Sequence, residues 1–401
     1  MRRPPAQLRQ VRSPDLKIAI IDAWLFSPNY DRALVEALSE LGHEVRLCSF
    51  GREAPHNLTP TDALLPYIPR LLAASCKAFL HPLVMCVLVE ILQDWRPDVI
   101  HFQWTPFPLC DRWFLHALRR IAPIICTVHD IVPFNGNPVS TIQVLGAVRI
   151  LREFDAIVAH TQRSVRHLTS LSRGPRRIRH IAHGLLQHGV GPGALVSKVK
   201  STSESKLVVL FFGKLKPYKG IDVLIRAASL IPARLQSHIR LRIVGKPYMD
   251  TGALIAMAES LQVAHLIDFQ FRFIADGEIS ALLQAASVIV LPYREVDASG
   301  VLMTALAEGR PIVATRVGAM AELLTDGQDA LLVPVGDADL LASALSQVLE
   351  DRAARQRLAD GARRLGASIP TWRDIGRETV ALYDEVIGPQ KRGRDRQEKR
   401  L

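Results

Sequence analysis

The stretch LVVLFFGKLKPYKGIDVLIRAASLI, residues 207–231, decides the fold. Its first six residues are apolar, four of them Val or Phe, which reads as a strand buried on both faces. Gly213 permits a tight exit, and Pro217 and Gly220 punctuate a short loop. From Ile221 the apolar spacing turns helical. The unit is therefore strand, loop, helix, the building block of a parallel sheet. Lys214 and Lys219 stand five apart in the loop. A solvated turn accounts for two exposed lysines. The alternative is a pair of cations set for a phosphate-bearing ligand. They precede a helix N-terminus, whose partial positive charge and free N–H groups also favour an anion.

The same alternation runs along the chain. Apolar runs of strand length fall at 17–23, 44–50, 98–104, 123–130 and 156–161, with helical patterns such as DRWFLHALRRI between them. Periodicity stops over 188–206, which is rich in Gly, Ser and Lys and reads as a linker. It restarts at 207–213, 240–245, 266–272, 288–293, 311–315 and 330–334. The expectation is an α/β protein of two doubly wound, Rossmann-like domains facing across a cleft, with ligands at the carboxyl ends of the strands.

At 401 residues, two domains are natural. Hydrophobic content of 48% and charged content of 22% describe a folded chain. The formal net charge of +11 favours anionic partners. Part of it sits in the tails: five cations against one acid in 1–17, and six against two in 388–401. Six more arginines crowd residues 163–179. Basic residues interleaved with aromatics are lacking, as is any nucleic-acid module, so no nucleic-acid partner is expected. The five cysteines have neither CxxC nor zinc spacing and read as reduced, mostly buried thiols. The N-terminus does not read as a secretory signal. The apolar segment 71–92 is interrupted by Lys77, His81 and Pro82 and reads as a buried or surface-lying helix rather than a span. A cytoplasmic protein is expected.

The second informative stretch is LPYREVDASGVLMTALAEGRPIVAT, 291–315. A strand ends at Pro292, a polar loop carries Glu295 and Asp297, and a helix follows Ser299 and Gly300. The N–H groups of Ser299, Gly300 and Val301 suit a diphosphate. Ser299 as a helix N-cap is compatible with this. His129 ends the run PIICTVHD, with Asp130 after it, and faces the cleft if the fold is right. A core histidine bonded to backbone is the other reading, and it is favoured for His160 and His183.

These segments resemble the retaining glycosyltransferases of family 4, which have the GT-B fold. The resemblance rests on FFGKLKPYKGIDVLIRA, LRIVGKP, ISALLQAASVIVLPY, SGVLMTALAEGRPIVATRVGAMAELL and DGQDALLVPVGDADLLASAL, and it covers nearly all of 207–387. PDVIHFQW, TVHDIVPFNG, AIVAHTQ and HIAHG extend it into the first half. The resemblance implies a retaining, metal-independent transfer of a sugar from a nucleotide-diphosphate sugar, without cofactor, to a hydroxyl acceptor. The acceptor is a glycan or a lipid-linked molecule, in polysaccharide or glycolipid assembly. Contact with the inner face of an anionic membrane would go with the basic charge. The implied domains are a basic tail (1–16), an acceptor-side domain (17–190), a linker (191–206) and a nucleotide-sugar domain (207–375). A helix crossing back (376–387), opened by Trp372, and a basic tail (388–401) complete the chain.

Residue by residue, the resemblance places Gly213 at the family's first loop. Lys214 takes its arginine position and Lys219 its lysine position, both on the donor phosphates. It sets His129 beside the donor sugar and Glu322 at the donor loop. The family's two glutamates, eight apart, fall on Val296 and Thr304. Thr304 keeps one hydrogen bond for the ribose, and Glu295 or Asp297 stands in for the first carboxylate. The loop DAWLFSPNYD (22–31) lacks the family's glycines, which points to a bulky acceptor. The competing reading is a noncatalytic GT-B-fold binding or scaffold protein that has lost the glutamate pair. A nucleotide-sugar epimerase of this architecture fits the loops less well.

Overall fold

The computed structural model describes residues 15–49, 70–131, 145–171, 177–187 and 206–398. The linker 191–206 lies outside them except for Lys206, as does nearly all of the N-terminal tail. Two wholly parallel six-stranded sheets form the frame. The first contains β1 (Lys17–Ile21), β2 (Glu44–Cys48), β3 (Val99–Phe102), β4 (Ile124–Val128), β5 (Ala156–Ala159) and β6 (Ile178–His180). Its order is β2-β1-β3-β4-β5-β6. The second contains β7 (Leu207–Phe212), β8 (Ile239–Val244), β9 (Ile267–Gln270), β10 (Val288–Leu291), β11 (Ile312–Thr315) and β12 (Leu331–Val333). Its order is β9-β8-β7-β10-β11-β12. The expected α/β architecture of two doubly wound halves is present. Each apolar run forms a strand; most are trimmed at their ends, and β8 starts just before its run, at Ile239.

Central strands carry the near-continuous apolar runs that helices on both faces require. β3, β4, β5, β10 and β11 are buried throughout, whereas the edges β6 and β9 are half-exposed. β6 is the strand that the apolar runs do not include. Ile178-Arg179-His180 is too short and too basic to stand out, yet it pairs in register with Ile157–Ala159.

The last helix, Trp372–Glu398, leaves the second half and packs on the first. Ile375, Val380, Leu382 and Tyr383 share a core with Tyr30, Leu34 and Leu38 of the helix Pro28–Glu40. Non-helical backbone at Gly388 kinks it. The Trp372 indole donates to the Leu185 carbonyl at 2.7 Å, and Tyr383 bonds His101 at 2.7 Å. Arg177 and Arg179, two of the six clustered arginines, bind Glu385 on this helix, so that part of the basic stretch is tied within the chain. The segment 71–92 lies in a helix, Arg70–Trp95. Among the described residues no helix is long and apolar enough to cross a membrane. Cys48 and Cys126 are buried as expected, but Cys86 is exposed.

Candidate active site

The order of the second sheet reverses between β7 and β10, and an open parallel sheet presents its ligand crevice at such a reversal. The two loops singled out in the sequence both leave the sheet here. Gly213 has φ +115°, and a Cβ on it would meet Val301 at 3.1 Å and the Lys219 Nζ at 3.3 Å. Gly220 has φ +68°, and a Cβ there would fall 1.9 Å from the Pro292 carbonyl oxygen. Neither position tolerates a side chain. Arg294 joins the loops further. Its N–H donates to the Tyr218 carbonyl at 2.7 Å, and its guanidinium bonds the Pro217 carbonyl and Asp222.

The two lysines are not equally exposed. Lys214 lies on the surface, but Lys219 is only 5% exposed, which corrects the reading of two cations on a solvated loop. A single 3-10 turn, Pro217–Lys219, and the left-handed Gly220 bring Lys219 back under the loop. Its ammonium rests 4.9 Å from the Tyr293 ring centroid. Burial, then Lys216 and Lys214, push its pKa down to about 7. Lys216, half-buried, is pushed down to about 8 by burial and Lys214. Sequence reading missed Lys216. The signal was its place two residues from Lys214 and three from Lys219 in KLKPYK. Three crowded cations repel one another, and an anion among them would relieve that.

Ser299 caps the helix Gly300–Ala307, its Oγ accepting from the Leu302 N–H at 3.2 Å. The first amides of that helix, those of Gly300 and Val301, have no acceptor within it. They stand beside Gly213, as the Val301 contact shows. Thr304 is buried and donates to the Gly300 carbonyl at 2.8 Å. The hydroxyl proton is thus held by its own helix. Glu295 is exposed on the loop. Asp297 and Glu322 instead reach the other half. Asp297 Oδ2 accepts from the Ile131 N–H at 2.6 Å. Glu322 accepts from the N–H groups of Gln162 and Arg163, at 2.7 and 3.1 Å, at the start of the helix Gln162–Ser170.

His129 is half-buried and stacks on Trp104, centroids 5.2 Å apart and planes at 16°. Its Nε2 donates to Gln103 Oε1 at 3.0 Å, so its Nδ1 carries the lone pair. Burial, then His160, His183 and His101, hold its pKa well below the ordinary value. It is neutral at physiological pH. His160 and His183 are buried and donate through Nδ1 to the carbonyls of Ile181 and Gly184, the bonded-histidine arrangement expected of them.

Asp130 was missed as a charged participant. It feels Lys216, Lys219 and Lys214 across the cleft, yet burial and Asp297 raise its pKa to about 6. Also unforeseen are Asp22 and Asp31, both fully buried beneath the first loop. Burial raises the pKa of both, and the neighbouring Asp22 raises that of Asp31 further. Asp22 Oδ2 accepts from the Ser27 N–H at 3.0 Å, so a carboxylate organises the loop where glycines were expected.

The structure thus gathers Gly213, Lys214, Lys219, Ser299, Gly300 and Val301 at one crevice, with Asp130 opposite and His129 next to it. Thr304 bonds the Gly300 carbonyl, and Glu322 the Gln162 and Arg163 N–H groups.

Two family profiles match the chain. Glycosyltransferase Family 4 covers residues 29–185, and Glycosyl transferases group 1 covers 206–351. A D-inositol 3-phosphate glycosyltransferase of Nocardioides sp. is 28% identical over 299 residues, 68% of this chain and 63% of that protein. Among solved structures, sucrose-phosphate synthase from Thermosynechococcus elongatus aligns with a TM-score of 0.71 at 20% identity, covering 92% of this chain and 98% of that one. Anabaena Alr3699/HepE, solved in complex with UDP-glucose, also gives 0.71, at 18% identity, covering 92% and 99%. The fold is therefore GT-B, and with both halves matched the chain belongs to glycosyltransferase family 4, of the group 1 type.

Proposed function

We propose that the chain transfers a sugar, with retention, from a nucleotide-diphosphate sugar to a hydroxyl of a glycan or lipid-linked acceptor. The observation that carries this reading is the crowding of Lys214, Lys216 and Lys219 against the open amides of Gly300 and Val301. As the glycosidic bond breaks, negative charge grows on the departing diphosphate. Preplaced cations and N–H groups stabilise that charge without reorganising. They supply this stabilisation in place of a metal. The acceptor hydroxyl enters on the face that the diphosphate leaves, and a departing phosphate oxygen takes its proton. Neutral His129 offers its Nδ1 lone pair to a sugar hydroxyl. The reaction is placed at the cytoplasmic face of an anionic membrane, in polysaccharide or glycolipid assembly.

The test is a thermal-shift panel of UDP, GDP, ADP and TDP with their sugars, on the native chain and on a Lys214→Ala/Lys219→Ala variant. One nucleotide sugar should raise the Tm by mass action, and the variant should lose the shift. Turnover of that donor is then measured. No shift with any nucleotide at millimolar concentration removes the diphosphate site. A shift without transfer or donor hydrolysis leaves the noncatalytic scaffold, for which the exchange of both family glutamates for Val296 and Thr304 speaks.

A further inference from the structure

Asp130 is a carboxylate at the diphosphate site that the transfer step does not use. It lies just beyond β4, at the carboxyl edge of the first sheet. Its chain neighbours fix it in place. His129 before it stacks on Trp104 and donates to Gln103. The Ile131 N–H after it bonds Asp297 of the donor loop at 2.6 Å. Asp130 is therefore held where the first half meets the donor loop. Its side chain is half-buried, and among the described residues no hydrogen bond engages the carboxylate. A carboxylate drawn out of water without a hydrogen bond needs a cation. The cations that face it are Lys214, Lys216 and Lys219, across the crevice. The effect is mutual, since Asp130 supports the charge of Lys216 and of Lys219. From the other elements Asp130 faces Asp297 and the Tyr218 hydroxyl, and Asp297 in turn feels Arg163, His167 and Glu295.

We propose that Asp130 is the counter-ion of the three lysines while the cleft is empty, and that it drives the nucleoside diphosphate out after transfer. The release step rests on the transferase reading, whereas the counter-ion does not. In the donor each phosphate carries a single charge. Transfer forms the bond from the anomeric carbon to the acceptor oxygen and breaks the bond to the phosphate oxygen. The departing oxygen takes the acceptor's proton and then gives it to water. The terminal phosphate so created has a second ionisation at about pH 6, so most of a further charge appears at neutral pH. Cations alone would hold this product more tightly than the donor. With Asp130 beside them, the added charge meets a carboxylate, and repulsion grows as the reaction completes. Asp130 retakes the lysines as the diphosphate leaves.

The sign of the pH dependence follows from the carboxyl itself. With a pKa of about 6, Asp130 is charged at about pH 7 and mostly neutral at about pH 5. Its repulsion of a bound diphosphate is present at the higher pH and lost at the lower. Asp130→Asn removes the charge at both. The exchange also lowers Lys216 and Lys219 further, because Asp130 supports both. That loss concerns fractional charge on the lysines. The repulsion acts on about two or more full charges of the ligand, so the variant gains affinity.

Inorganic pyrophosphate is the probe, since it carries the charge without base or sugar. Its Kd is measured by calorimetry on the full-length native chain, Asp130→Asn and Asp130→Glu. At about pH 7 Asp130→Asn should bind about tenfold tighter, while Asp130→Glu, which keeps the charge, should stay within about threefold of native. At about pH 5 all three should converge. Both variants should keep the native Tm, because the carboxylate has no hydrogen bond to lose. Equal affinity of the native chain and Asp130→Asn at neutral pH overturns the proposal, as does a gain that persists in acid. If that variant instead binds only the nucleotide sugar less well, Asp130 is a sugar ligand and the proposal falls. No pyrophosphate binding by any of the three defeats the proposal and the transferase reading together. Turnover is then followed with the donor that the thermal-shift panel finds. Inhibition by its nucleoside diphosphate should deepen about tenfold in Asp130→Asn, and unchanged inhibition overturns the release step. Tighter pyrophosphate binding without turnover in any chain upholds the counter-ion and defeats the transferase reading, and release with it.

Discussion

Lys219 illustrates what burial does to a residue that sequence reading treats as a surface charge. With pKa values of about 7 and 8, Lys219 and Lys216 are partly neutral at physiological pH in the absence of ligand. A diphosphate among them raises both values, because an opposite charge favours the protonated form. The sign follows. Between about pH 7 and the ordinary lysine value near 10.5, the bound state holds protons that the free state lacks. Binding therefore takes up protons, and affinity falls as pH rises past 7 to 8. Calorimetric titration with a nucleoside diphosphate at pH 8, in buffers of different ionisation enthalpy, should show uptake of about one proton. Lys219→Ala should take up fewer. Uptake of none would refute the buried-cation account. The positions of Lys214 and Lys219 were legible because loop chemistry follows chain spacing. Their unequal burial was not, since it depends on Tyr293, which lies on another loop.

At the scale of elements, two loops behave as one because glycine lets their backbones touch. Gly220 combines φ +68° with a Cβ position only 1.9 Å from the Pro292 oxygen, whereas Gly327 has φ +74° and nothing within 4 Å. Alanine at Gly327 meets backbone strain alone, roughly 1 kcal/mol. Alanine at Gly220 adds a collision with a buried carbonyl and should cost about 2 kcal/mol or more. Thermal unfolding of the two variants separates the terms. Gly220→Ala should lower the Tm by several degrees more than Gly327→Ala, and it should weaken nucleotide binding as well. Equal losses would mean that the loops are not in register as described. The strands and helices around them were legible because a strand buried on both faces must be apolar throughout, as β7 and β10 are. β6 escaped because an edge strand needs only partner amides, and Ile178-Arg179-His180 supplies those without an apolar signature.

For the whole molecule, two of the three carboxylates expected at the donor, Asp297 and Glu322, bond between the halves. On one side, the helix Trp372–Glu398 joins the domains through Trp372 with Leu185, Tyr383 with His101, and Glu385 with Arg179. On the cleft side, the polar bonds include those of Asp297 to the Ile131 N–H and of Glu322 to the Gln162 and Arg163 N–H groups, with Asp276 reaching Asn29 and Arg32. The Trp372 and Tyr383 bonds are anchored in a packed core, while the Glu385–Arg179 pair is exposed. The second set is partly exposed, and each carboxylate there contributes about 1 kcal/mol, discounted for water. Removing both should therefore shift an open–closed balance by about tenfold or more toward open, with the folded core unchanged. Small-angle scattering from Asp297→Ala/Glu322→Ala without ligand should give a larger radius of gyration than the native chain. Its Tm should change little, since neither side chain is part of a core. A variant that scatters like the native chain would mean that the crossing helix alone sets the domain arrangement, and that these carboxylates only cap the backbone they touch.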